Sequence, residues 1–221
     1  MLSDKTIAVL ASGGLDSCIL VSDLLSRGRV VQPLYIRSQL IWEPAEFHAL
    51  RRYLDRIRSP ALLGLVTLEL PLTDLYGNHW SLTGQATPHA DDPDEAVYLP
   101  GRNALLVIKA AIWCQLHAIP ELALAALGTS PFADAKPQFC ELMQALLHRD
   151  GQPPIRIVLP FFGRDKRQVL ELGRQQPLEL TFSCLAPVGE VHCGACNKCA
   201  ERQSAFRALG RTDPTAYAEK K

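Results

Sequence analysis

Short apolar runs alternate with stretches of helical period along most of the chain. Thr6–Leu10 is the first run, and a helix pattern follows it at once. Val30–Ile36 reads as a second strand, where Pro33 is expected either to deny it a deeply central place or to bulge it. Next comes a helix from Glu43 to Ile57, with Pro44 suited to its first turn. Ala45, Leu50, Leu54 and Ile57 supply its apolar positions, while Arg51, Arg52, Asp55, Arg56 and Arg58 form a solvated polar face. Leu65–Leu70 reads as the third strand. From Thr73 to Tyr98 the periodicity dissolves into a long loop with His79, His89 and an acidic cluster at 91–95, and a lid over a site is one use for such a loop. Regular pattern resumes with a helix from about Arg102 to His117, a strand over Glu121–Leu127 and a helix over Pro137–His148. A strand over Ile155–Pro160 and helices over Asp165–Arg174 and Glu201–Leu209 complete the chain.

Strands and helices that alternate in this way predict an α/β fold, a five-stranded, mostly parallel sheet covered by helices on both faces. Residues 1–180 are assigned to that domain, and 181–221 to a small C-terminal appendage. Ligands bind such sheets at the carboxyl ends of the strands. The segments 12–17, 128–136 and 161–166 converge there, with Pro100–Asn103 within reach.

The turn after the first strand is Ser12-Gly13-Gly14-Leu15-Asp16-Ser17, directly after Ala11. Its glycines permit close approach of the main chain to a ligand, and the helix start that follows offers free N–H groups and a favourable dipole to an anion. The turn lacks both the Gly-Lys-Ser/Thr ending of the common phosphate loop and the three-glycine dinucleotide spacing. The bland alternative is an ordinary strand-to-helix turn capped by Asp16 or Ser17. Arg102, at a helix start beside this edge, is a natural counter-charge for a leaving pyrophosphate, and Asn103 beside it suits a helix cap.

Composition narrows the classes. Of 221 residues, 48% are hydrophobic, enough for a sizeable core. Lys+Arg and Asp+Glu both number 23, so no global field draws the chain to nucleic acid or to a membrane surface. Met1 to Lys5 runs straight into the first strand without a signal peptide, and no apolar run approaches membrane-spanning length, so the expected location is the cytoplasm.

Four of the seven cysteines, Cys184, Cys193, Cys196 and Cys199, crowd into one stretch near the C-terminus. Two overlapping Cys-x-x-Cys turns with a fourth thiolate from the preceding loop suit a closed, structural tetrahedral Zn²⁺ site. An iron–sulfur cluster and a redox pair also use close cysteines, and His192 is an alternative donor. Cys18, Cys114 and Cys140 sit singly in apolar helical patterns and read as small buried hydrophobes.

The Ser-Gly-Gly-Leu-Asp-Ser string resembles the loop of N-type ATP pyrophosphatases, which split ATP between the α- and β-phosphates. With Pro100–Asn103, the four spaced cysteines and Glu201–Phe206, the chain resembles the 7-cyano-7-deazaguanine synthase family from about Lys5 to Phe206. The resemblance implies an adenine nucleotide alpha-hydrolase-like, Rossmann-like fold. It implies an enzyme that activates 7-carboxy-7-deazaguanine with ATP and Mg²⁺, captures the acyl adenylate with ammonia, and dehydrates the amide to the nitrile. ATP would then meet Ala11, Ser12, Gly13, Gly14, Leu15, Asp16, Ser17 and Arg102, with Asp16, Arg102 and Lys166 in catalytic contact with phosphate or carboxylate. Asp134 and Lys136 are the aligned candidates for substrate contact, and Cys184, Cys193, Cys196 and Cys199 the zinc ligands. The resemblance is also consistent with a homodimer.

Two loops depart from the family pattern. Where relatives carry Asp-Tyr-Ser-Gly-Tyr-Pro-Asp-Cys-Arg-Pro, this chain has the shorter Ser130–Pro137, and Tyr35–Gln39 replaces a Tyr-Gly-Gln segment. Three alternatives follow: a ligase for another acid or amine, or one that stops at an amide or conjugate; sulfur transfer to tRNA, which calls for a basic surface and a persulfide cysteine; and a zinc-stabilised nucleotide-binding interaction protein without catalysis.

Overall fold

The computed structural model describes residues 5–148 and 154–218; the expected lead-in at 1–4 and the last residues of the C-terminal appendage, 219–221, lie outside them. Among the described residues the α-helices and strands follow in the order β1 (Thr6–Leu10), α1 (Leu15–Ser26), β2 (Val30–Arg37), α2 (Glu43–Arg56), β3 (Val66–Glu69), α3 (Thr73–Tyr76), α4 (Trp80–Thr83), α5 (Arg102–Leu116), β4 (Glu121–Ala123), α6 (Pro137–Leu146), β5 (Arg156–Val158), α7 (Lys166–Leu172) and α8 (Asn197–Ala208). The strands form one sheet in the order β3-β2-β1-β4-β5, parallel throughout. Such a sheet is covered on both faces, which is why its strands read as apolar runs. Ile7 and Val9 pack with residues of α1, α2, α7 and α8 on one side, while Ala8 and Leu122 pack with Ala110, Ala111 and Cys114 of α5 on the other.

β2 lies inside the sheet despite Pro33, and the register explains how. Val31 bridges to Leu62 and Leu34 to Val66, so three steps along β2 face four on its neighbour. The ladder is bulged across Pro33, whose missing N–H falls in that gap. Gln32 fills the gap with its side chain, Nε2 donating to the carbonyls of Pro33 (3.1 Å) and Gly64 (2.7 Å).

β4 is shorter than its apolar run. β1 ends at Leu10 and turns into the glycine loop, so β4 has no partner on that side beyond Ala123. Leu124 still donates to Val158 O, at 3.0 Å, before the chain turns away. The segment 73–98 is not a structureless loop. It contains α3 and α4, Trp80 stacks on Trp42 with ring centroids 5.7 Å apart, and His89 pairs with Cys196. α8 starts at Asn197, ahead of the expected Glu201, because the cysteine knuckle feeds the helix directly through its cap residue Cys196. α7 begins on a capping box, Asp165 Oδ1 accepting from Gln168 N (2.7 Å) and Gln168 Oε1 from Asp165 N (2.9 Å).

Arg202 of α8 is the largest fully buried side chain, 1% exposed. Its guanidinium donates to Asp213 (2.9 and 3.1 Å), to Thr181 Oγ1 (2.7 Å) and to Leu178 O (3.0 Å), tying the C-terminal tail and the segment after α7 to one helix. Breaking one side of a buried pair leaves the other uncompensated. Arg202→Met is therefore expected to cost about 3–5 kcal/mol, read as a lower urea midpoint with an unchanged slope.

Candidate active site and metal centre

The carboxyl ends of β1 and β4 diverge at the point where strand order reverses, and a cavity of about 1970 Å³ opens there. Its floor is the glycine loop. Gly13 has φ +80°, and a Cβ on it would lie 2.8 Å from the carbonyl oxygen of Glu46 and 3.2 Å from Leu50 Cβ, so only glycine fits. From the other side Phe182 N donates to Gly13 O at 2.8 Å. Ser17 Oγ accepts from Ser12 N (3.2 Å), lies 3.2 Å from Ser12 Oγ and donates to Gly14 O (3.1 Å). The side-chain cap of the bland alternative is absent: Gly14 is the N-cap of α1, with no side-chain bond, and Asp16 lines the cavity. An ordinary capped turn would not leave that carboxylate there.

Lys166, at the start of α7, reaches Asp16 Oδ2 at 2.7 Å across 150 residues of sequence. The same ammonium lies 3.4 Å from Glu201 Oε1, and Lys198 holds Glu201 Oε2 at 2.7 Å. Burial disfavours the Glu201 charge, but the two lysines outweigh it and hold the carboxyl down at about 2. Burial likewise opposes the Lys166 charge, and Asp16 and Glu201 reverse it, raising its pKa. The charges therefore run alternately from the glycine loop to α8.

Arg102 and Asn103 stand in the first turn of α5, after Gly101 in a left-handed conformation (φ +73°). Asn103 is not the cap; its amide donates to Asp134 O at 3.4 Å. Arg102 lines the cavity, and its Nε is buried without a partner, as are Asp16 Oδ1 and Asp134 Oδ1. Burial raises the Asp134 pKa against the pull of Asn103 and Arg102. Buried polar atoms without partners mark places where a ligand can complete the hydrogen bonding. Lys136 does not join them. Its ammonium donates to the carbonyls of Gly128 (3.1 Å) and Ser130 (2.5 Å) and closes the loop on itself.

At the far end of the cavity the four sulfurs of Cys184, Cys193, Cys196 and Cys199 lie within 4.8 Å of one another, the one such group of donors among the described residues. Cys184 and Cys196 are 3.9 Å apart, Cys193 and Cys199 4.0 Å. Backbone N–H groups point at the sulfurs: Cys193 N at Cys184 (3.2 Å), Leu185 N at Cys196 (3.4 Å), and Ala195 N and Cys196 N at Cys193 (both 3.4 Å). Such donors favour thiolates, which are the metal-binding form. His192 is not among the donors; its Nε2 accepts from Ser183 N at 3.0 Å. Cys18, Cys114 and Cys140 are buried, and burial raises the pKa of each.

Two cavity residues escape the sequence reading. Glu46 sits on the apolar side of α2 with Leu50 and Tyr53, and Tyr35 of β2 donates to its Oε1 at 3.0 Å. A carboxylate in step with an apolar helix stripe is the signal that marks it. Glu201, three residues after Lys198 on α8, is the other.

Residues 6–210 match the model of a family described as queuosine biosynthesis protein QueC. The chain belongs to that family. Among its relatives are proteins named 7-cyano-7-deazaguanine synthase from Desulfitobacterium hafniense (30% identical, covering 93% of both chains) and Methanothrix thermoacetophila (31%, covering 94% of this chain and 96% of that one). The relative from Paracoccus denitrificans is 31% identical over 96% of this chain and 93% of its own. The fold is shared more widely. A 4-thiouridine synthetase, solved with RNA and bound ATP, superposes with a TM-score of 0.53 at 16% identity, covering 94% of this chain and 51% of that one. The U34-tRNA thiolase NcsA of Methanococcus maripaludis, solved with its 4Fe–4S cluster, gives 0.50 at 14%, covering 94% and 67%. Among the described residues no helix is long and apolar enough to cross a membrane.

Two left-handed glycines separate space from conformation. Gly28 has φ +74° with nothing within 4 Å of an added Cβ, whereas Gly13 faces backbone. Gly28→Ala should cost about 1–2 kcal/mol, the left-handed penalty alone, and Gly13→Ala clearly more. Equal losses in chemical denaturation would show that the Glu46 contact does not constrain the loop.

Proposed function

We propose that this chain is an ATP-dependent, AMP- and pyrophosphate-forming C–N ligase that converts 7-carboxy-7-deazaguanine and ammonia to the amide and then to the nitrile, 7-cyano-7-deazaguanine. The observation that carries the proposal is the convergence of the glycine loop, Asp16, Lys166 and Arg102 on one cavity, with polar atoms of Asp16 and Arg102 left partnerless, in a chain of this family. A carboxylate is a poor electrophile, and adenylation gives its carbon a leaving group. The carboxylate oxygen attacks the α-phosphorus of ATP, and the bond to the pyrophosphate oxygen breaks. The loop N–H groups and Lys166 suit the departing pyrophosphate, and Arg102 suits the phosphate that stays. Ammonia then forms the C–N bond as AMP leaves. A second ATP activates the amide oxygen, and loss of AMP with the remaining nitrogen protons yields the nitrile. No nucleophilic cysteine is called for, and the three lone cysteines are buried.

Mg²⁺ bound with ATP would neutralise phosphate charge, and the free, buried Asp16 Oδ1 is the atom suited to hold it. For the thiolate cluster we propose one structural Zn²⁺. Four sulfurs around one zinc at Zn–S distances of about 2.3 Å stand roughly 3.8 Å apart at tetrahedral angles, and the 3.9 and 4.0 Å separations support a single ion. The four thiolates leave no open position for catalysis.

Wild-type protein with 7-carboxy-7-deazaguanine, ammonia and ATP should release pyrophosphate and give a product that has lost the acid's two oxygens and one hydrogen and gained one nitrogen. Lys166→Ala should lower kcat by about 10²–10³. Turnover with another acid but none with this one would reject the substrate; no pyrophosphate with any acid would reject the reaction. Elemental analysis should find about one zinc per chain, and Cys196→Ala that is folded without metal would remove the structural role.

A further inference from the structure

Glu46 has no part in the chemistry above, yet its place is that of a working group. Its Cγ lies 3.5 Å from where a Cβ of Gly13 would be, so the side chain runs along the glycine loop. Glu46, Tyr35, Trp42 and Arg102 all line the cavity. The Tyr35 ring is itself 3% exposed and stacks at a tilt on Phe47, 5.0 Å between centroids, so the phenol that donates to Glu46 Oε1 is held by packing.

We infer that Glu46, oriented by Tyr35, is the proton acceptor for the amine-capture step at this site. The inference rests on the proposed ligase reading. In that step the lone pair of ammonia forms the C–N bond to the adenylated carbon. The C–O bond to AMP breaks and AMP leaves with its electron pair. Ammonia enters mostly as ammonium at neutral pH; the proton it gives up to become the neutral nucleophile goes to the Glu46 carboxylate, which returns it to solvent before the next turnover. The proton that the new amide nitrogen sheds leaves with the departing AMP phosphate. A general base works best when its own pKa is near the working pH.

The surroundings of Glu46 set that value. Burial pushes its carboxyl up to about 7, against the pull of Arg102 from α5 and the hydrogen bond of Tyr35 from β2, while Glu43 on its own helix raises it further. Cys18 of α1 also feels Glu46, and that thiol stays neutral because burial raises its pKa. Tyr35 stays a phenol, because burial, with Glu46 and Glu43 beside it, raises its pKa well beyond the usual range.

The test uses the full chain, 7-carboxy-7-deazaguanine and ATP, and measures captured product (amide plus nitrile with ammonia, hydroxamate with hydroxylamine) formed per pyrophosphate released. Glu46→Gln should lower that ratio about 10²-fold with ammonia, while hydroxylamine, already neutral at pH 7, should restore it. In the wild type the ammonia-dependent rate should rise with pH through about 7 and then level. Tyr35→Phe removes a donor that favours the carboxylate, so this limb should move to higher pH, a shift that a packing role alone would not produce. An unchanged ratio in Glu46→Gln, or a lowered ratio that hydroxylamine leaves equally low, overturns the role of Glu46. A wild type that releases no pyrophosphate with any acid overturns the ligase reading and this role with it, and that result is distinct from the other two.

Discussion

The close approach of Gly13 to the carbonyl of Glu46 is the contact on which the site depends. The loop after β1 has to pass α2 at a distance that no side chain allows, 2.8 Å from a would-be Cβ to a backbone oxygen. Along that path Gly14 is the N-cap of α1, and Asp16, free of a capping role, lines the cavity. The close approach also brings the Glu46 side chain alongside the loop. The opposite edge of the loop is held by Phe182, in the segment that leads to the cysteines. One glycine therefore sits between a helix of the sheet domain and the start of the C-terminal segment.

The C-terminal segment serves two ends of the cavity at once. Cys196 caps α8 and Cys199 lies in its first turn; two residues on, Glu201 meets Lys166 and so reaches Asp16. Phe206, one turn further, is buried in the same core as β1. A closed thiolate site has little to offer chemically, but it fixes the start of a helix, and a charge two residues beyond a fixed start is itself fixed. Arg202 adds the tail at Asp213, and the Tyr217 ring lies 3.5 Å from a would-be Cβ of Gly194 in the knuckle. Loss of the cysteine cluster would thus be felt at the glycine loop through α8.

Much of this was legible in the chain. β1 carries its expected bounds, all five strands and the six longer helices occur where the periodicity puts them, and the cysteine cluster closes as its spacing predicts. What the sequence hid has physical reasons. Strand length follows partners rather than apolar content, so β4 stops at Ala123 although Leu124, Ala125, Ala126 and Leu127 continue the run. Pro33 left open whether β2 is off-centre or bulged; the register shows the bulge, bridged by Gln32, in a strand that still lies inside the sheet. The segment 73–98 lacks period because its short helices are held by aromatic stacking and by pairing with the cysteine knuckle, both long-range. Long-range ion pairs are equally silent in sequence: nothing local links Lys166 to Asp16.

The closure of the 130–137 loop decides which groups it presents to the cavity. Lys136, the cation that sequence places nearest a substrate, has its ammonium taken by two carbonyls of its own loop and lies over the Phe162 ring at 5.8 Å. A shorter loop has fewer ways to close, and an internal ammonium is an economical closure. The consequence is that the loop meets the cavity with Asp134 and with Phe132, stacked on Tyr98 at 5.3 Å, rather than with a positive charge. A carboxyl beside an aromatic face therefore stands across the cavity from Arg102. Under the ligase reading proposed above, a flat ring would meet the β4 loop and its acid would meet α5.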